Sequence, residues 1–381
     1  MPELNGTERA RERPDGTAPS GREARVLERI ETFRRRRPLL RDEVVTLAHG
    51  AGGKASAALI DSVFLDAFAS ADTSADALVP LADAADLTLP SGERVAFSTD
   101  SFVVKPRRFP GGSLGHLAIH GTVNDLAMVG ARPQWLSAAF VLEEGFEVAE
   151  LRALVADMAA AAAAAGVTVV TGDTKVVDRG AADGVYISTA GVGVIPAGRV
   201  LGPEQVRAGD AILVSGALGD HGMAVMLARG DLALEADIRS DTAPLGDLVE
   251  TLLTAAPSTR WLRDPTRGGV GTVCNELARD TNLAVVLDEH RLPVHAAVGG
   301  ACDLLGIDPL YVANEGKLVA VVAPGEVDAA LTAMQGHPLG AEAALVGEIR
   351  ADPEGIVVLR TTFGGSRIVD MLVGDPLPRI C

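Results

Sequence analysis

The sequence predicts an α/β chain of two domains, of α+β type, and three observations carry that expectation. Short apolar runs alternate with helical stretches from Val44 onward. The length of 381 residues suits two domains better than one. A turn-rich segment between Gly198 and Gly209 splits the alternation into two sets. Hydrophobic residues make up 48% of the chain, which excludes a globally disordered polymer. Aromatic residues are only 3% and glycines number 42, so the cores must be aliphatic and the turns tight. No fixed-period repeat is visible, which excludes a solenoid.

The elements follow in chain order. Residues 1–43 stand apart, with 11 Arg, 9 acidic residues, Pro14, Pro19, Pro38 and a basic run Arg34–Arg37. Their composition reads as a disordered or weakly helical extension. The first domain, 44–200, begins with the run VVTLA and a glycine-rich turn, LAHGAGGKAS at 47–56, which reads as strand, turn and helix start. Its strands are the runs ERVAFSTD, WLSAAFVLE, VTVVTGD and VYISTAGVGVI, separated by helical stretches at 54–69, 113–130 and 147–165. The second domain, 201–373, opens with DAILVSG and a helix near 221–229, and continues through LAVVLDE, GKLVAVVA and IVVLRT. The last eight residues, 374–381, carry two prolines and end in Cys381; proline forbids helix and biases them toward an extended, mobile tail.

Charge and cysteine content narrow the function. The formal net charge is −17, a field that repels phosphate backbones and anionic lipid, so nucleic acid and membrane surfaces are excluded as main partners. Three cysteines, Cys274, Cys302 and Cys381, cannot form a disulfide framework. The Ala-rich run 151–170 contains Asp157 and is broken at Gly166, so it reads as a helix and a buried strand, not a membrane span. No secretory signal is visible, and the expected compartment is the reducing cytoplasm.

Several motifs have two readings. The loop at 47–56 is not a Walker A sequence, because Ala48 replaces the first glycine and Ala55 follows Lys54; it serves either as a phosphate cradle or as a plain turn. GVGVIP at 191–196 fails the dinucleotide fingerprint at Pro196. His116 and His120 are spaced i, i+4, but no third ligand is placed, so a zinc site is not expected. Four acidic segments, FSTD (97–100), TVND (122–125), TGDTK (171–175) and RDPTRGG (263–269), each put a carboxylate at an element end or in a sharp turn. Singly each is a cap or turn residue; together, with Lys175 beside Asp173, they point to a metal–phosphate site. Glu315, in VANEGK, reads as a solvated bend residue. Cys381 is a swinging thiol or the accident of a frayed terminus; fully extended, its arm reaches about 26 Å.

Taken together, the series HGAGG, FSTDSFVV, VNDLAMVGA, GDTKVV, DPTRGG, NEGK and terminal PRIC resembles the HypE family of hydrogenase maturation factors, which are carbamoyl dehydratases. That family belongs with aminoimidazole ribonucleotide synthetase, selenophosphate synthetase and thiamine monophosphate kinase. Most of these motifs mark the ATP-using superfamily, and the PRIC terminus singles out the member. The resemblance runs from about Val44 to Cys381. It implies an aminoimidazole-ribonucleotide-synthetase-like fold, with an N-terminal sheet forming a barrel across a homodimer, and ATP and Mg²⁺ as cofactors. It implies that Asp100, Asp125 and Asp264 hold Mg²⁺, that Asn124, Asp173, Thr174 and the glycines Gly50, Gly52 and Gly53 lie near the nucleotide, and that Cys381, Lys175 and Glu315 act in the chemistry. The activity implied is ATP-dependent dehydration of an S-carbamoyl group on Cys381 to the S-cyanate, supplying cyanide ligands for the iron of [NiFe]-hydrogenase. The partners implied are a carbamoyltransferase as donor and an iron-site scaffold complex as acceptor. The early glycine loop, 49–54, lacks the Cys of the selenophosphate branch. Two other readings stand beside this one: another synthetase or kinase of the superfamily, in which Cys381 is irrelevant, and a non-catalytic scaffold binding through 1–43 and the tail.

Overall fold

Period-two alternation builds the first sheet. In the computed structural model, which describes residues 40, 42–71, 82–230, 236–372, 374, 380 and 381, a helical run opens with Lys54–Leu59. It continues through a π segment, Ile60–Leu65, to Asp66–Ala71. The strands β1 (Ala85–Thr88), β2 (Arg94–Phe102), β5 (Arg132–Glu143), β6 (Thr168–Val177) and β7 (Val185–Ile195) then form a five-stranded sheet in the order β1-β2-β7-β5-β6. A small hairpin, β3 (Arg108–Phe109) with β4 (Gly112–Ser113), stands outside it. In β7 every odd position from Val185 to Ile195 is buried and the even ones are not, which is the signature of a sheet covered on one face. The covering helices are Leu114–Met128 and Val148–Ala164. The first is buried nearly all round, because a second layer of structure lies on its far side.

The second sheet has seven strands: β8 (Ala211–Val214), β9 (Thr259–Arg263), β10 (Ala284–Asp288), β11 (Val319–Val322), β12 (Ala344–Arg350), β13 (Val357–Arg360) and β14 (Ser366–Val369), ordered β14-β13-β10-β12-β8-β11-β9. β8 and β11 are buried at every position, so helices cover both faces. Those helices are Asp220–Ala228, Gly246–Ala255, Gly269–Thr281, Ala296–Leu305 and Val327–Gln335.

One expectation fails in the first domain. Residues Leu47–Gly50 form a 3-10 turn and not a strand. Val44, Val45 and Leu47 are exposed, and the Thr46 amide and hydroxyl are satisfied locally by His49 Nδ1, at 3.0 and 2.9 Å. A β-branched run becomes a strand only where a neighbouring strand takes its amides. The extension through residue 39, the basic run 34–37 within it, and tail residues 375–379 lie outside the described residues.

Candidate active site

Three carboxylates meet where the first helix layer touches the second domain. Asp125 projects from the helix Leu114–Met128, Asp264 follows β9, and Asp83 precedes β1; one oxygen of each lies within 4.8 Å of the others. Asp125 Oδ2 accepts from Ser98 Oγ at 2.6 Å. Burial pushes all three carboxyls upward, Asp264 to about 6, and neighbouring acids add to the rise at Asp83 and Asp125. Arg263 offsets part of this charge, with Nε 2.9 Å from Asp83 and Nη2 3.1 Å from Glu276. Asp100, on the helix-covered face of β2, is also raised by burial and held back by Arg267. Crowded carboxylate oxygens that raise one another suit a hard divalent cation, since the cation replaces mutual repulsion with attraction.

Glu315 stands on the turn before β11, buried rather than solvated as its sequence context suggests. Its backbone is clamped: its N–H donates to Asp241 Oδ1 at 3.0 Å and its carbonyl accepts from Asn124 Nδ2 at 3.3 Å. Gly316 is obligatory beside it, because a Cβ there would lie 1.9 Å from the Asp241 carbonyl oxygen. Among the described residues, Glu315 Oε1 is buried with no hydrogen-bond partner. Burial, then Asp264, Asp100 and Asp241, raise its carboxyl well above the usual range, with Arg267 opposing. A buried carboxyl beside an acid cluster, with its affinity for protons raised, is a candidate proton acceptor.

The chain terminus enters the same neighbourhood. Ile380 is 2% exposed, Cys381 is half-buried, and an α-carboxylate oxygen of Cys381 accepts from Val103 N at 3.2 Å. The guanidinium of Arg267 is raised chiefly by the charge of Cys381, and then by Asp100, Glu315 and Asp125. Arg267 therefore ties together the tail and the acids. It also ties in the glycine loop: Arg267 Nη1 donates to the Gly50 carbonyl at 3.3 Å. Gly52 adopts φ +78°, with room for a Cβ only 3.0 Å from Arg267 Cβ. Gly53 caps the helix that starts at Lys54, whose Nζ meets Asp370 at 2.7 Å.

Asn124 is fully committed to backbone. Its amide nitrogen donates to the Ala243 and Glu315 carbonyls, at 3.1 and 3.3 Å, and its oxygen accepts from Leu245 N at 2.8 Å. It clamps the first domain to the loop 240–245. Asp173, Thr174 and Lys175 lie elsewhere, on the edge strand β6. Asp100 pairs in register with Thr189, Thr189 with Ala138, and Ala138 with Gly172, so Gly172 lies three strands, or roughly 14 Å along the sheet, from Asp100. Asp173 pairs with Ala139 and points to the opposite face. Lys175 Nζ contacts Asp173 at 3.0 Å, and both side chains are exposed.

Sequence reasoning missed Asp83, Arg267, His221 and Asp241. Asp83 sits in an Ala/Asp-rich stretch with no diagnostic spacing. Arg267 lies within DPTRGG, the motif already singled out for its aspartate. Among the described residues, Arg267 is the arginine whose guanidinium is raised by the charge of Cys381. His116 and His120 hydrogen-bond separately, to Ser113 and Thr242, both at 3.0 Å. Burial and the neighbouring His116 lower the His120 ring to about 3, which keeps it neutral.

Family models of AIR synthase related proteins match this chain in two blocks, an N-terminal domain over residues 81–195 and a C-terminal domain over 207–360. The chain is 55% identical over 342 residues to the carbamoyl dehydratase HypE of Rhodobacter capsulatus, covering 90% of this chain and 99% of that protein. It is similar to the solved structure of HypE in complex with ATP, with TM-score 0.73 and 44% identity over 89% of this chain and all of that one. A solved HypE–HypF complex matches with TM-score 0.76 and 44% identity, over 83% of this chain and all of that one.

Proposed function

Since the chain belongs to the HypE carbamoyl dehydratases, a branch of the AIR synthase related proteins, we propose that it uses ATP to dehydrate an S-carbamoyl group carried on its own Cys381. The observation that carries this reading is the docked terminus: the Ile380 carbonyl lies 2.6 Å from His221 Nε2 and a main-chain oxygen of Cys381 accepts from Val103 N at 3.2 Å, in the field of Arg267, whose guanidinium also feels Asp100, Glu315 and Asp125.

The chemistry explains why the site needs these groups. Turning S–C(=O)–NH₂ into S–C≡N requires loss of oxygen from carbon, and oxide is too basic to leave. The carbonyl oxygen takes the γ-phosphoryl group of ATP and releases ADP, one nitrogen proton being lost to solvent to leave the O-phosphorylated imidate; the second nitrogen proton is then removed while the C–O bond breaks and phosphate departs. Glu315 receives the second of the two nitrogen protons, and its raised affinity for protons is the direction that makes a carboxylate an effective base near neutral pH. Mg²⁺ held by Asp83, Asp125 and Asp264, with Asp100 beside them, would supply the positive charge that phosphoryl transfer requires. Arg267 orients the tail, and the glycines 50–53 frame the side from which a phosphate approaches.

Asp173, Thr174 and Lys175 fit this scheme through a second copy. The face of the first sheet away from its helices exposes Leu87, Phe97, Trp135 and Val194, a surface suited to the same face of another chain. In such a homodimeric barrel, β6 of one chain would stand near the other's site, which gives Lys175 access to phosphate. The donor is a carbamoyltransferase, a reading supported by the likeness to the HypE–HypF complex, and the acceptor is an iron-site scaffold complex. The location is cytoplasmic: two cysteines are buried free thiols, and no helix among the described residues is long and apolar enough to cross a membrane.

Intact mass spectrometry tests the reading. After carbamoylation the wild-type chain should gain about 43 Da, falling to about 25 Da when ATP is added, as the dehydration stoichiometry requires. Cys381→Ala should bind ATP and show neither mass. Modification mapped to Cys274 or Cys302 overturns the assignment.

A further inference from the structure

His221 is fully buried, at the start of the helix Asp220–Ala228, and the chemistry above does not use it. Its two ring nitrogens are both engaged. Nε2 lies 2.6 Å from the Ile380 carbonyl oxygen, and Nδ1 lies 2.8 Å from Ser240 Oγ. A carbonyl can only accept, so Nε2 carries the proton and Nδ1 accepts from the Ser240 hydroxyl. The Ser240 oxygen is itself fixed by Thr242 N at 3.1 Å, and the Ser240 amide donates to the Pro110 carbonyl at 2.8 Å. Phe109 packs edge-on against the imidazole, with ring centroids 5.5 Å apart. The side chain of Ile380 joins the apolar cluster that contains Phe109, Met223, Val312 and Ala313.

We propose that His221, held in its Nε2–H tautomer by Ser240, is a positioning residue that latches the C-terminal tail through the Ile380 carbonyl. The latch reads the main chain: His221 holds the carbonyl of residue 380, Val103 N holds an α-carboxylate oxygen of residue 381, and the apolar cluster holds the Ile380 side chain. None of these contacts touches Sγ. Free thiol, S-carbamoyl and S-cyanate tails therefore dock through the latch with the same strength, and the latch cannot eject the finished product. Release for transfer must come from groups that meet the sulfur substituent, or from the acceptor competing for the tail.

The importance of the latch rests on the carrier role proposed for Cys381, but its test does not. Iodoacetamide alkylation, read at each cysteine by peptide mapping, reports docking whether or not any carbamoyl chemistry occurs. In His221→Leu the Cys381 rate should rise about three- to tenfold, the change expected for one lost buried hydrogen bond, while Cys274 and Cys302 stay at their wild-type rates. His221→Gln, whose amide nitrogen can reach the place of Nε2, should return Cys381 to the wild-type rate, a rescue that a purely packing role would not give. If His221→Leu does not fold, Ser240→Ala carries the test, because loss of the hydroxyl frees the ring to adopt the wrong tautomer. An unchanged Cys381 rate in the folded variants, or an equal rise at all three cysteines, overturns the latch.

Discussion

In the seven-stranded sheet, β8 and β11 are buried at every position, whereas β6 of the five-stranded sheet has no buried residue along its ten. Both sheets come from similar aliphatic runs, VTVVTGDTKVV in one and KLVAVV in the other. The difference lies in what covers them. Helices from both sides finish the second sheet within one chain, and its stability is its own. The first sheet has helices on one face only, they leave its edge strand β6 exposed on both sides, and the bare face carries Phe97, Trp135, Asp173 and Lys175. A half-covered sheet whose open face also holds residues expected in the chemistry is the surface on which the proposed pairing of two chains rests.

The sharpest way to break that comparison is through the covered side of the first sheet. Asp125→Asn and Asp264→Asn should abolish Mg²⁺-dependent ATP turnover with unchanged circular dichroism, and normal turnover in both would remove the metal assignment. Removing one of several repelling carboxylates should leave the metal-free melting temperature equal or higher, the opposite of an ordinary buried substitution.

The open face comes next. Trp135→Glu should give a folded species of about 39 kDa, the mass of one chain, by light scattering, where the proposed pairing of wild-type chains requires twice that mass. A dimer that persists in this variant would show that another surface is used. Pairing Lys175→Ala chains with Cys381→Ala chains should restore turnover in the mixture if Lys175 acts across the dimer, and no recovery would place it within its own chain.

Core substitutions in the finished sheet are smaller in consequence but cleaner. Leu213→Ala, at a fully buried position of β8, should cost about 2–5 kcal/mol by denaturant unfolding. Val194→Ala, on the open face, should cost less than about 1 kcal/mol in the monomeric Trp135→Glu background, because its side chain is already in water there. Equal costs would show that the open face is covered within the chain.

The weakest effect is one of pH. The folded-state pKa of Asp264 is raised to about 6, so the folded chain holds protons that the unfolded chain has released. Between about pH 4 and pH 6 the stability from this group is therefore lost as pH rises, in the absence of metal. A cation competes with those protons, so Mg²⁺ should raise the melting temperature more at pH 7.5 than at pH 5.5. Equal stabilisation at both would mean that the carboxylates are not its ligands.

Much of this architecture was legible in residue order alone. Alternation placed β2, β5 and β7, the helices between them are the expected ones to within a few residues, and the change of sheet falls between Ile195 and Ala211. These are local properties, set by side-chain period and by turn residues within a dozen positions. The strand expected at 44–48 was not legible, because a strand exists only if another strand receives its hydrogen bonds.

The site divides in the same way. That Asp100, Asp125, Asp264, Glu315 and Cys381 carry chemistry could be suspected from residue type and motif. Which of them share a volume depended on the fold. Asp83 joins Asp125 and Asp264 only because β1 and β9 are brought against one helix. Asn124 lies next to Asp125 in sequence, yet it clamps backbone while its neighbour faces the acid cluster, because adjacent helical positions point about 100° apart. Asp173 and Lys175 carry the right groups, and the strand order puts them on the far face. Cys381 and Arg267 are more than a hundred residues apart, and their meeting depends on the dock built by His221 and Val103. Sequence determines which groups a chain carries and the period with which each element turns them; only the packing of distant elements decides which groups meet, because the free energy that chooses those neighbours is burial summed over the whole chain.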